Sequence, residues 1–204
     1  MNDYGPQLCF SGRSLQSGFV TAVVLLVVCG LPAFGEPMSL DPPPPIPSHL
    51  GELFDRMEAA NRRSQDVFRE LSVEQMNFRP GNGSHTPRWN AEHMAGRQLL
   101  FFSQIYHAID SSIPVVDWNP KQMPADYQAR HADWSGKEEA RMMQRVDDFC
   151  RRHAHLLGQI QLDEKAPGSR WPSLRALLLQ MERHYDEHTA NVKKKFALPD
   201  WPDR

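Results

Sequence analysis

The sequence is poor in cysteine, in net charge and in long apolar runs, and each shortage narrows what the chain can be. Its three cysteines are Cys9, Cys29 and Cys150. The first two precede the globular part, so Cys150 stands alone and no internal disulfide can staple the fold. Cys150 sits beside Phe149 in a helical stretch and reads as a buried, inert thiol in preference to a nucleophile. Lys and Arg number 23 against 25 Asp and Glu, so no field of one sign points to nucleic acid or to a membrane surface. The main apolar run, Phe19 to Leu31, falls short of the roughly 20 residues that cross a bilayer. There is no alternating strand pattern of useful length, no G-x-S-x-G, no phosphate-cradling glycine loop and no C-x-x-C.

What is present begins with that apolar run. Arg13 precedes it and Pro32-Ala33-Phe34-Gly35 follows it, the layout of a signal peptide with a small-x-small cleavage site after Gly35. The expected organisation is a leader at residues 1–35, a Pro-rich spacer at 36–47, a helical domain at 48–198 and a tail at 199–204. Cleavage implies export to the periplasm or the exterior, with membrane contact only through the leader. Translation starting at Met38 implies a cytoplasmic protein instead.

Beyond the polyproline-like Asp41 to Pro47, apolar residues recur at helical spacing. The spacing predicts a first helix over about 48–71 with Ser48 as cap, then a capping box at Ser72-Val73-Glu74-Gln75 that opens a short turn of helix. A second long helix is predicted over about 90–109. After a Pro-rich, Trp-containing link from Ser111 to Trp134, a capping box at Ser135-Gly136-Lys137-Glu138 opens a third, to about Ile160. Its expected core side carries Met142, Val146, Phe149, Leu156 and Ile160. The fourth is expected to start at Trp171-Pro172 and to carry an inward stripe of Leu174, Leu178, Met181, Tyr185, His188, Val192 and Phe196. Lys193 to Lys195 read as its solvated end. The fold expected is an all-α four-helix bundle whose second link is long enough for a crossover or lid.

Chemistry points to His184-Tyr185-Asp186-Glu187-His188. Two histidines four apart share one helix face and can reach a single divalent ion at about 2.1 Å. Nine histidines make roughly 0.35 such pairs by chance, so the spacing alone is a weak motif. Position strengthens it: His188 falls on the apolar stripe and His184 on its flank, where an uncompensated imidazole is costly to bury. A hydrogen-bonded core histidine is the competing reading for each. His93, in Trp89-Asn90-Ala91-Glu92-His93, fits a surface position equally well. The other six histidines read as structural or solvated.

Three passages together resemble the DinB-like family, which includes YfiT-like metal hydrolases and bacterial thiol transferases: Leu71 to Pro80 (LSVEQMNFRP), Trp89 ahead of His93, and His184-x-x-x-His188. The resemblance covers roughly residues 50–196. It implies a four-helix bundle with a metal near one end, held by His93, His184 and His188. In many members the tryptophan precedes its histidine by more than the three residues that intervene here.

Three neutral imidazoles leave an ion's double positive charge intact, and nitrogen ligands alone do not choose among Zn, Ni, Fe and Mn. The expected function is that of a metal-dependent small-molecule hydrolase or thiol transferase. The alternatives are a non-catalytic metal-binding or interaction bundle and a metal-free polar core. Small-molecule substrates are the expected partners, and a homodimer is compatible with the sequence. Glu92, Glu182, Asp186 and Glu187 are candidates to orient the rings or act as a base, against the simpler reading as solvated helix charges. Metal affinity is expected to fall as pH drops through about 6.5, where imidazoles normally protonate.

Overall fold

The computed structural model describes residues 44–203. The leader, its cleavage site, Cys9, Cys29, Met38 and most of the spacer lie outside the described residues. Among those described there is no strand, and no helix is long and apolar enough to cross a membrane. Five α-helices form: α1 (Gly51–Phe68), α2 (Val73–Asn77), α3 (Pro87–Ile109), α4 (Gly136–His153) and α5 (Leu174–Lys193). The all-helical expectation holds, with four long helices and the short α2.

Both capping boxes form. Ser72 Oγ accepts from Gln75 N at 3.1 Å while Gln75 Oε1 accepts from Ser72 N at 3.0 Å, and Glu138 Oε2 accepts from Ser135 N at 2.6 Å. Each satisfies amide donors that a helix start leaves unpaired. Three starts differ from expectation. Residues 48–50 form a turn, with Leu50 N donating to Pro47 O, so α1 begins at Gly51 and Ser48 is not its cap. Thr86 caps α3 and Pro87 occupies its first turn, which places Trp89 on the helix. Ser173 caps α5, leaving Pro172 ahead of the helix.

α1 packs against α4 and α5, and α3 packs against the same two helices. The four long helices therefore close a ring with α1 and α3 on one diagonal. The Ser111–Trp134 link joins neighbours and is not a crossover. Nor is it a free lid. Buried Arg88 donates to Glu139 at 2.9 Å, to Asn77 Oδ1 at 2.7 Å and to the Trp134 carbonyl, while Arg79 donates to the carbonyls of Pro124 and Tyr127 at 2.7 and 2.9 Å. Glu92 accepts from Tyr127 Oη at 2.7 Å and from Arg130 N at 2.9 Å. The tail is docked as well: Trp201 packs edge-on to Phe78, and Gln75 Nε2 donates to Pro202 O at 3.0 Å.

The core holds Phe54, Met57, Phe68, Met94, Leu99, Phe102, Ile105 and Leu177, all essentially solvent-free. The inward side of α4 is Met143, Val146, Asp147 and Cys150, so the expected stripe was displaced: Met142, Phe149 and Leu156 are only partly buried. A carboxylate at the buried position 147 disguised the register. It belongs to a polar network at the bundle's middle, where Gln98 Nε2 donates to Asp147 Oδ1 at 2.9 Å and Tyr185 Oη donates to Gln98 Oε1 at 2.5 Å. Asn61 Nδ2 donates to Tyr185 Oη and to Met143 O, both at 3.2 Å. Cys150 is wholly buried, and burial pushes its thiol pKa well up, as expected of an inert thiol.

Candidate metal centre

Toward one end of the bundle α3 and α5 bring three imidazoles together. One nitrogen from each of His93, His184 and His188 lies within 4.8 Å of the other two, and the ring centres are 4.5–5.0 Å apart. His93 and His184 are buried and His188 is partly exposed. The i, i+4 spacing on α5 does what helical geometry requires, and α3 supplies the third ring from across the groove.

Each ring is held differently. His188 Nδ1 lies 2.7 Å from Asn90 Oδ1. The Asn90 amide has its orientation fixed by Nδ2 donating to Thr86 O at 2.8 Å, so Oδ1 faces the ring and His188 Nδ1 carries the proton. That leaves Nε2 as the lone-pair nitrogen, the arrangement in which an outer partner orients a metal ligand. His93 stacks on Trp89, with ring centres 4.3 Å apart and planes 14° from parallel. His85 stacks on the same indole at 3.4 Å. On the link, Asn119 stands beside His93, close enough to favour its charged form, although neither Asn119 Oδ1 nor His93 Nδ1 makes a well-formed hydrogen bond. Gly96 permits this approach, because a Cβ there would meet Asn119 Cα at 2.7 Å.

The electrostatics favour neutral rings. Burial, with Arg97 and neighbouring histidines adding to it, lowers His93 and His184 to about 3; burial followed by His85, Arg97 and Lys195 lowers His188 to about 4. These rings are unprotonated far below pH 6.5, which corrects the expectation that proton competition sets in there. The Nδ1 atoms of His93 and His184 are buried without partners. Three neutral imidazoles, each bringing one nitrogen within 4.8 Å of the other two, are a donor set a divalent ion takes, so the residues fit a metal.

The flanking carboxylates do not join them. Glu92 is bound to the link, Glu182 pairs with Arg56 at 2.8 Å, Asp186 with Arg63 at 2.9 Å and Glu187 with Arg183 at 3.6 Å. Lys195, expected to be solvated, is buried and donates to Asn191 O at 3.1 Å. Of the six other histidines, only His85 comes near the cluster. His49, His107, His153 and His155 contact backbone carbonyls, and His131 stacks on Trp134.

Sequence reasoning missed Asn90, Asn119 and Arg97. The signal for Asn90 was available: once Thr86-Pro87 is read as the helix start, Asn90 falls one turn in and His93 on a neighbouring face. The sequence matches the DinB superfamily over residues 56–192. The chain belongs to that superfamily. No curated protein and no solved structure matches it. The match runs from within α1 through nearly all of α5 and includes all three histidines, so the cluster belongs to the part of the chain that is DinB-like.

Proposed function

We propose that this chain is a divalent-metal-dependent enzyme acting on small molecules, and that it activates a thiol for transfer in preference to water for hydrolysis. The observation that carries the metal is the convergence of His93, His184 and His188, each with one nitrogen within 4.8 Å of the other two. A divalent ion held there would supply the charge that lowers the pKa of a thiol or water and polarises a carbonyl. His188 is held in one tautomer by Asn90, and His93 is held flat against Trp89. Trp89 and the link shield the His93 side from water.

The preference for a thiol rests on the engaged carboxylates. Water activation commonly enlists a nearby carboxylate to take the proton, and each flanking acid here is engaged by an arginine or by the link. A thiol starts some seven pKa units below water and needs less help to ionise.

Metal analysis of the purified full chain beside a His184→Ala/His188→Ala variant tests the reading. Near-stoichiometric metal in the parent and none in the variant is expected, with metal-dependent consumption of a small thiol by an electrophile. Metal without turnover of thiol or ester substrates would favour a non-catalytic module. No metal in either protein, after zinc, nickel, iron and manganese have each been supplied, would reduce the cluster to a polar core.

A further inference from the structure

Arg97 stands one turn beyond His93 on α3, and Phe101 one turn beyond Arg97. The guanidinium carbon of Arg97 lies 5.7 Å from the Phe101 ring centre, and that of Arg170, from the loop before α5, lies 5.7 Å from the same ring. Trp171 packs edge-on to that ring at 6.0 Å. Two cations and an indole thus share one aromatic platform.

What distinguishes the group is its surplus of donors. Arg97 Nε and Trp171 Nε1 are both buried without an acceptor. Neither Arg97 nor the exposed Arg170 has a carboxylate partner among the described residues, which is also true of Arg79, Arg130, Arg141, Arg145 and Arg152, so the buried donors of Arg97 and Trp171 are what set the group apart. Buried donors without acceptors are costly to the fold and are kept where a ligand supplies the acceptor. The loop that brings Arg170 and Trp171 here is closely fitted. Gly168 has φ +70°, and a Cβ on it would lie 2.6 Å from Gln104 O; Trp171 N donates to Ser169 Oγ at 3.0 Å.

We propose that Arg97, Arg170 and Trp171, arranged around Phe101, form an anion subsite that selects small-molecule substrates bearing a carboxylate or phosphate on the order of 5–11 Å from the reacting atom, one to two helical turns. This rests on the functional reading above for what happens at the histidine end. The subsite itself is a binding claim that stands or falls separately.

Calorimetric titration of the zinc-loaded full chain with hexanoate, hexyl phosphate and neutral 1-hexanol tests it, beside Arg97→Met/Arg170→Met and Arg170→Met. Methionine keeps the apolar stem and removes the donors, and zinc content measured in each protein controls for folding. At least one acid should bind about tenfold or more tighter than hexanol, with the stronger of the two identifying the natural anionic group. That ratio should approach one in the double variant and fall partway in Arg170→Met, with zinc content unchanged. Equal binding of acids and alcohol by the parent, or a ratio that survives in the double variant, overturns the subsite and leaves the metal reading standing. A parent that takes up none of zinc, nickel, iron and manganese overturns the metal reading, and the same titrations on the metal-free chain still decide the subsite.

Discussion

Two buried polar regions lie on the same helices and are built on opposite plans. In the middle of the bundle, Asn61, Gln98, Asp147 and Tyr185 satisfy one another across all four long helices. Toward one end, His93 and His184 keep buried nitrogens with no partner. Closed networks of the first kind fix how helices pack. Open ones cost stability and are retained for something they bind. Burial alone therefore does not separate a structural polar residue from a functional one; hydrogen-bond satisfaction does.

The largest effects should come from breaking the closed network. Gln98→Leu keeps the volume but takes the Gln98 donor from Asp147 and the acceptor from Tyr185 Oη, which keeps only the bond from Asn61, and each unmet group costs about 1–3 kcal/mol. A loss of about 3 kcal/mol in denaturant unfolding is expected, with thermal unfolding lowered to match. The counterpart, His184→Leu, replaces an unpaired imidazole with an apolar side chain. In the metal-free chain it should be neutral or stabilise by about 1 kcal/mol, while abolishing metal uptake. Equal losses in the two variants would erase the distinction drawn here.

A smaller effect tests how the open region is oriented. Asn90 holds the His188 tautomer through one hydrogen bond, and outer partners of this kind are worth about 10- to 100-fold in metal affinity. Asn90→Ala should weaken metal binding by that factor in competition with a chelator of known affinity, with folding stability little changed. Binding as tight as in the parent would mean that the ring holds its orientation through packing alone.

Much of this was legible in the sequence, and what was missed follows a pattern. Capping boxes and apolar spacing are local, so the long helices and the His184–His188 pair could be read directly. His93 could not be separated from a surface histidine by local pattern, because its partners lie on another helix some 90 residues away; only the family resemblance proposed it. The inward face of α4 was misread because Asp147, buried by partners on α1 and α3, looks polar in isolation. Lys195 was read as solvated because it stands in a run of three lysines, although it is buried at the helix end and donates to Asn191 O one turn back. Asn119 reaches His93 only because a long link crosses at Gly96, a placement without periodicity to betray it. Residues whose role depends on distant acceptors or donors escape one-dimensional reading in general.

The most delicate test uses the sign of the pH dependence, because the two regions titrate in opposite senses. The three rings have folded pKa values of about 3–4 against 6.5 unfolded. Between those limits the unfolded chain binds the extra protons, so this contribution is lost as pH falls from about 6.5 toward 4. Asp147 is the reverse case. Burial raises its carboxyl to about 7 against an ordinary 3.8, with the Gln98 hydrogen bond only partly opposing. Over the same interval the folded chain holds the extra proton, and acidification stabilises. In the metal-free parent these contributions partly cancel, and Glu139, whose carboxyl burial also raises to about 7, adds to the side that acid stabilises. Replacing His93, His184 and His188 together by Leu should remove the acid-sensitive part, so that denaturation midpoints relative to the parent rise more at pH 5 than at pH 7. Asp147→Asn should do the opposite, falling relative to the parent as pH drops. With metal bound, the ion holds the rings neutral, and acid sensitivity should appear instead as release of the ion nearer pH 4 than 6.5. Release centred at 6.5 would mean the rings are solvated as free imidazoles are, and that the open region is not buried as described.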